Sequence, residues 1–248
     1  MSNSPKKDYK YKYNELIRGI PVKLFHKYLE IPVSVLSKFP IENNPKDLIS
    51  DFLHTNVPDS INDEFFNLSS LLEKRYSEIA LNSPLNFKIE SSTSYFLYCF
   101  IRLSKPLNVL ETGVANGHSS FIILSALSKN GNGRLYSIDR TYNVGSLITD
   151  ELKKNWQLIV LNNSTKKALN ALLKSLPRLD VFIHDSNHYY YWQFLEYELA
   201  MKYINKSKYI MSDDVNSSYA FLDFCKKYKL NPVLMYDLRK IFGIAKID

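Results

Sequence analysis

The sequence predicts an α/β fold, in which helices cover both faces of one mostly parallel sheet. Two observations carry this prediction. From Leu107 onward, short apolar runs alternate with longer segments of helical periodicity, as in parallel strands joined by crossover helices. The chain also has 248 residues, 45% of them hydrophobic, which suffices for one substantial core. We therefore expect one main domain over residues 106–248, preceded by a helical segment over residues 1–105.

The N-terminal segment is predicted to form short helices and loops, because prolines interrupt its helical patterns. The net charge of the whole chain is +7. A charge of this size fits nucleic-acid binding, acidic substrates or only a lysine-rich surface, and the scattered positions of the lysines favour the last. The interrupting prolines are Pro21, Pro32, Pro40, Pro45, Pro58 and Pro84, and a basic arm at the start carries Lys6, Lys7, Lys10 and Lys12.

The main domain is predicted to contain seven strands. The final two are separated by only the four residues DLRK, too few for a crossover helix, so we expect them to pair antiparallel. Ligands of parallel sheets bind outside the carboxyl ends of the strands, so polar residues that end strands are candidate site residues. The predicted strands lie near 107–111, 134–138, 157–161, 180–184, 207–212, 231–236 and 241–246, and the polar residues at their ends are Glu111, Asp139, Asn162, Asn163, Ser164, His184, Asp185, His188, Asp213 and Asp214.

A glycine-containing turn joins the first predicted strand to the helix that starts near Ser119. Gly113 and Gly117 lie in this turn, within the sequence LNVLETGVANGHSS. A glycine lets the backbone approach a ligand, and a helix start offers unpaired N–H groups, so a nucleotide-like ligand fits the pattern. A tight turn without a ligand explains it equally well. Asp139 follows Gly113 by 26 residues, near the spacing at which an acidic residue binds a ribose.

Several longer segments resemble a known family. They are IESSTSYFLYCFIRLSKPLNVLETGVANGHSS, SIDRTYNVGSLITDEL, VFIHDSNHYYYWQFLEYELA and MSDDVNSSYAFLDF. Together they are similar to the class I S-adenosylmethionine-dependent methyltransferases, in particular methyltransferase family 24, over about residues 89–245. The resemblance implies a Rossmann-like, seven-stranded sheet with its last strand antiparallel. The turn reads G-x-x-x-G rather than G-x-G-x-x-G, which disfavours a dinucleotide-binding dehydrogenase.

The resemblance also implies roles for individual residues around S-adenosylmethionine. It assigns the ribose hydroxyls to the acidic residue that ends the second strand. Asn163 stands where the family usually has Asp, so one contact to the adenine differs. The resemblance assigns the methionine portion to Glu111, Gly113, Gly117 and Ser119, the ribose to Asp139, and the adenine surroundings to Arg140, Asn163 and Ser164.

Three aspartates, Asp185, Asp213 and Asp214, are expected to converge at the ends of the fourth and fifth strands. Converging carboxylates repel one another, and a divalent cation such as Mg²⁺ or Ca²⁺ compensates their charge. The catechol-type relatives bind magnesium at the matching positions. Alternatively, Asp213 or Asp214 caps a helix beginning near Ser217. His188, three residues after Asp185, is a candidate base together with that aspartate, or a histidine bonded to the backbone at a helix start.

These residues predict an O-methyltransferase that acts on a small-molecule or a sugar or polysaccharide hydroxyl, with residues 1–105 as its lid or acceptor wall. The alternatives are a non-catalytic S-adenosylmethionine-binding protein and a nucleic-acid methyltransferase. No apolar run approaches the length of a membrane span, and the two cysteines lack a C-x-x-C spacing, so we expect a cytoplasmic protein. The oligomeric state, a homo-oligomer included, stays open.

Overall fold

The structure is a computed structural model that describes residues 31–162, 165–238 and 240–247. The basic arm and the predicted adenine contacts Asn163 and Ser164 lie outside these residues. The helices are α1 (Val33–Leu36), α2 (Pro45–Leu53), α3 (Asp59–Glu78), α4 (Ser91–Ser104), α5 (His118–Asn130), α6 (Lys166–Ser175), α7 (Tyr190–Tyr203) and α8 (Ala220–Tyr228). The strands are β1 (Ile41–Glu42), β2 (Asn108–Thr112), β3 (Arg134–Asp139), β4 (Trp156–Val160), β5 (Leu179–His184), β6 (Ile204–Ser212), β7 (Val233–Asp237) and β8 (Lys240–Lys246).

The strands form one sheet in the order β1-β7-β8-β6-β5-β2-β3-β4. All neighbouring strands are parallel except for the two pairs that include β8, which runs antiparallel to β6 and to β7. The α/β fold class, the seven predicted strands and the reversed last strand are thus confirmed. The expected strand count falls short by one, because β1 adds a two-residue edge strand parallel to β7. Two residues are too few to show an alternating pattern in the sequence.

Helices α2, α3 and α4 of the N-terminal segment share one hydrophobic cluster with the sheet, whereas Leu36 of α1 lies in the other cluster. Helix α4 is the centre of this contact. Its Phe96 packs on Phe242 of β8, and its Phe100 packs edge-on against Tyr209 of β6, with ring centroids 5.4 and 4.8 Å apart. Helix α3 adds Phe65, which packs on the α4 face at Tyr95. Helices α2, α3 and α4 therefore cover one face of the sheet through the same core that holds the main domain together.

Within the described ranges, no helix is both long enough and apolar enough to cross a bilayer. Both cysteines, Cys99 on α4 and Cys225 on α8, are buried and free. Burial raises the pKa of the Cys99 thiol to about 12. Such a thiol is protonated at neutral pH, so Cys99 contributes packing rather than nucleophilic chemistry.

Candidate active site

A cleft of about 1350 Å³ lies along the carboxyl edge of the sheet. The loops that follow β2, β3, β5 and β6 form its walls. The N-terminal segment contributes Asn82 and Ser83, which precede α4, and β8 contributes its first residue, Lys240. The predicted residues that line the cleft are Gly113, Ser119, Asp139, Arg140, Asn162, Asp185, His188 and Asp214.

The glycine turn between β2 and α5 is fixed by close backbone packing. Gly113 and Gly117 have φ angles of 87° and 82°, in the left-handed region that favours glycine. A Cβ on Gly113 would lie 1.9 Å from the carbonyl oxygen of Asp185, and one on Gly117 would lie 2.9 Å from the Cα of Gly145. Gly113 lines the cleft, whereas Gly117 starts the helix behind it. The packing of the protein's own backbone therefore requires both glycines, whether or not a ligand is bound.

Glu111, the fourth residue of β2, lies beneath this turn and is 1% exposed. Its carboxylate accepts hydrogen bonds from the hydroxyls of Ser119 at 3.0 Å, of Ser137 at 2.6 Å and of Ser120. Burial raises the pKa of Glu111 to about 7, and the three hydroxyls oppose this rise. Glu111 thus ties the first turn of α5 to β2 and β3 from below. Of this group, Ser119 is the residue that also reaches the cleft wall.

Asp139, the last residue of β3, is held by three backbone donors. Its Oδ2 accepts a hydrogen bond from the N–H of Val114 at 3.0 Å, and its Oδ1 accepts from Arg140 at 2.6 Å and Thr141 at 3.2 Å. These bonds join the loop after β3 to the glycine turn and fix the carboxylate at the cleft. A carboxylate offers about four lone-pair positions, so Asp139 can also accept from a ligand hydroxyl.

The three aspartates converge as expected, because β5 and β6 are neighbours and their last residues, His184 and Ser212, are paired in register. A lysine joins them. The Lys240 ammonium lies 2.6 Å from Oδ2 of Asp213 and 3.2 Å from Oδ2 of Asp214. Asp214 precedes a single 3₁₀ turn over Val215–Ser217 but makes no capping hydrogen bond with its side chain, and the next α-helix begins later, at Ala220.

The charged groups in this cluster shift one another's pKa values. Burial raises the pKa of the Asp185 carboxyl well above its usual range, and the Asp213 charge raises it further, while Lys240 opposes both effects. Burial also raises the pKa of Asp213 against the influence of Lys240. Burial disfavours the charged form of Lys240, but the three carboxylates outweigh this, so its pKa lies above its usual range. Lys240 is therefore an ammonium at any physiological pH.

His188 faces the same cluster from the loop after β5. Its Nε2 lies 3.4 Å from Oδ2 of Asp214 and 4.0 Å from Oδ1 of Asp185. Burial, followed by the nearby His184, lowers the pKa of His188 to about 4. The imidazole is therefore neutral at pH 7. Within the described residues its Nδ1 has no hydrogen-bond partner, so the backbone-bonded alternative is not observed there.

Glu196 of α7 organises the loop that carries His188, a role that the sequence did not indicate. Its carboxylate accepts hydrogen bonds from Thr112 Oγ1 and Trp192 Nε1, both at 2.6 Å, and from Ser186 Oγ at 3.0 Å. His184 Nδ1 lies 2.7 Å from the same carboxylate. Glu196 is 3% exposed, so these bonds hold the ends of β2 and β5 against α7.

Asn116, in the glycine turn, joins the N-terminal segment to the cleft. Its Oδ1 accepts hydrogen bonds from the backbone N–H groups of Asn82 at 3.0 Å and Ser83 at 2.8 Å, and its Nδ2 donates to the Ser83 carbonyl at 2.8 Å. The residues joined are more than thirty positions apart in the chain. No local pattern in the sequence indicates such a contact.

The divalent cation expected from the sequence meets a competing charge in the structure. Lys240 already holds one oxygen of Asp213 and one of Asp214. Within the described ranges, no group of three or more His, Cys, Asp or Glu side chains could hold a metal ion. With Lys240 in this position, the three aspartates do not fit a divalent cation.

The chain is similar to known methyltransferases in part of its sequence and in its fold. Residues 110–215 match methyltransferase family 24, described as a methyltransferase domain. No curated protein matches the chain. An O-methyltransferase from Bacillus cereus, solved with SAH, is 15% identical over 82% of this chain and 96% of its own, with a TM-score of 0.57.

Two further solved structures have similar scores. The O-methyltransferase TomG from Streptomyces achromogenes, involved in tomaymycin synthesis and solved with SAM, is 14% identical over 89% of this chain and 96% of its own, with a TM-score of 0.55. A putative O-methyltransferase from Klebsiella pneumoniae is 14% identical over 82% and 96%, with a TM-score of 0.54. The region that carries the glycine turn and both groups of acidic residues therefore matches the methyltransferase family 24 model, and the chain shares the fold of these O-methyltransferase structures.

Proposed function

We propose that the protein is an S-adenosylmethionine-dependent O-methyltransferase that acts on the hydroxyl of a small molecule or a sugar. One observation carries the proposal: consecutive residues of the glycine turn contact both ends of the cleft. Val114 donates to the Asp139 carboxylate, and Gly113 packs against the backbone of Asp185. A cofactor held by Asp139 and an acceptor held near Asp185 are then separated only by this turn.

The cofactor end is assigned to the residues around Asp139. The Asp139 carboxylate would accept a hydrogen bond from a ribose hydroxyl, at the lone-pair position that its three backbone donors leave open. Gly113 and Ser119 would contact the methionine portion, with Glu111 positioning Ser119 from below. Arg140 and Asn162 would flank the adenine. When bound, S-adenosylmethionine supplies a methyl group on a positively charged sulfur.

The acceptor end is assigned to His188 and the aspartates. The neutral imidazole of His188 would accept the acceptor's hydroxyl proton, and the Asp214 carboxylate at 3.4 Å would stabilise the resulting imidazolium. The acceptor oxygen would bond to the methyl carbon that the cofactor supplies, and the electrons of the broken carbon–sulfur bond would stay on sulfur. Most of the rate enhancement then comes from holding both reactants at reacting distance.

The test replaces Asp139 with alanine and measures S-adenosylmethionine binding by calorimetry. We expect the affinity to fall tenfold or more, because charged hydrogen bonds contribute on the order of 1.5–3 kcal/mol. Asp150→Ala is the matched control, since that carboxylate is 97% exposed and pairs only with Lys153 in the described structure. A folded Asp139→Ala variant with unchanged affinity would contradict the assignment of the cofactor end.

A further inference from the structure

The Lys240 ammonium occupies the centre of the acceptor end and has no assigned role. Its side chain is 10% exposed, and its two ion pairs are to Asp213 and Asp214. An ammonium has three N–H donors. These two contacts leave one donor uncommitted in the described part of the chain, and Lys240 lines the cleft.

We propose that Lys240 binds the acceptor oxygen and takes the place that a divalent cation would otherwise hold among the three aspartates. The inference rests on the proposed function and specifies how its acceptor end works. The ammonium supplies positive charge beside the acceptor oxygen and balances the aspartates at the same time. A hydroxyl that loses its proton to His188 becomes more negative, and the free N–H of Lys240 stabilises that charge.

The chain topology supplies a reason for the position of Lys240. Strand β8 is antiparallel to its neighbours, so its first residue lies at the edge where β5 and β6 end. The Lys240 side chain therefore originates from the backbone beside the aspartates and reaches them directly. A lysine fixed by two ion pairs on a strand is a permanent part of the site, whereas a metal ion exchanges with solvent.

The first measurement is Mn²⁺ binding, followed by electron paramagnetic resonance and calorimetry, which needs no acceptor. We expect no Mn²⁺ binding by the wild-type protein at millimolar concentrations. In Lys240→Met, three carboxylates lose their counter-charge, and Oδ1 of Asp213 has no partner within the described residues. We expect this variant to bind Mn²⁺ at least tenfold more tightly than the wild type. Lys208→Met is the control, because Lys208 pairs with Asp180 near the start of β5.

The second measurement is methyl transfer to a panel of hydroxyl acceptors, with and without a chelator. We expect wild-type turnover to persist under chelation, Lys240→Met to lose at least a hundredfold in turnover, and Lys240→Arg to recover part of the loss. Cofactor affinity should stay within twofold throughout. Mn²⁺ binding by the wild type, or turnover that chelation abolishes, would overturn the role of Lys240. A wild-type protein that binds no S-adenosylmethionine would instead overturn the proposed function itself.

Discussion

Glu111 is a buried carboxylate whose protonation contributes to stability. The folded protein raises its pKa from an ordinary value of 4.5 to about 7, mainly through burial. Between these two values the folded chain keeps a proton that the unfolded chain has released. The contribution of Glu111 to the free energy of unfolding is therefore greatest below about pH 4.5 and decreases as the pH rises through 7.

Replacement of Glu111 by glutamine should remove this dependence. The amide has the same shape and no charge, so we expect the variant to gain up to roughly 3 kcal/mol relative to the wild type between about pH 5 and pH 8. Urea unfolding at both pH values measures the difference. Glu73→Gln, at an exposed position of α3, serves as the control. If the free energies of unfolding of the wild type and Glu111→Gln changed equally with pH, Glu111 would be ionised over the whole of this pH range, which would contradict the prediction.

At the scale of elements, His118 joins three helices. It begins α5, its Nδ1 lies 2.8 Å from the Tyr76 hydroxyl of α3, and its Nε2 lies 3.0 Å from the Ser94 hydroxyl of α4. Ser94 donates its own proton to the Glu90 carbonyl, so Nε2 carries the hydrogen and Tyr76 donates to Nδ1. This network is complete with a neutral ring, in agreement with a pKa that burial, and then Lys88, lower to about 4.

Acid should therefore loosen the contact between these helices. The folded pKa of His118 lies below the ordinary 6.5, so its contribution is complete above pH 6.5 and is lost as the pH falls towards 4. We expect wild-type stability to fall over this range by roughly 2 kcal/mol more than that of His118→Asn. His54→Asn is the control, because His54 is exposed and its left-handed backbone suits asparagine. If the free energy of unfolding changed equally with pH in the wild type and in His118→Asn, the assignment of this pH dependence to His118 would be contradicted.

The strands of the main domain could be predicted because each is a short apolar run between polar segments. The carboxyl-end rule then predicted from the sequence that Asp139, Asp185, Asp213 and Asp214 lie where β3, β5 and β6 end, and the structure places them there. The same rule missed Lys240, because in an antiparallel strand the first residue, rather than the last, lies at that edge. The predicted reversal of β8 therefore places the first residue of that strand at the edge where β5 and β6 end.

Contacts between distant segments could not be predicted in this way. Asn116 bonds to a loop in the N-terminal segment, and Glu196 collects donors from β2, β5 and α7. Each residue taken alone is typical of an exposed turn or helix surface. Its role depends on which segment the fold brings to it, and hydrophobic periodicity contains no information about that choice.

At the scale of the whole molecule, the N-terminal segment should be inseparable from the main domain. Deletion of residues 1–85 would remove α2 and α3 and expose aromatic surface at Tyr95 and Tyr209, which Phe65 and Phe52 cover. We expect aggregation and loss of cofactor binding, measured by size-exclusion chromatography and calorimetry. Deletion of residues 1–13 should leave cofactor affinity unchanged. A soluble and fully active 1–85 deletion would contradict the role of this segment as a lid or acceptor wall.

The contact between Gly113 and the Asp185 carbonyl has a consequence for how acceptor preference can change. Backbone atoms at van der Waals contact fix the closest approach of the two halves of the cleft. If the protein transfers methyl groups as proposed, exchanges at rim residues such as Phe87 or Asn187 would select a different acceptor while the methyl group still travels the same distance. One scaffold would in this way serve different hydroxyl compounds, provided that position 113 stays glycine.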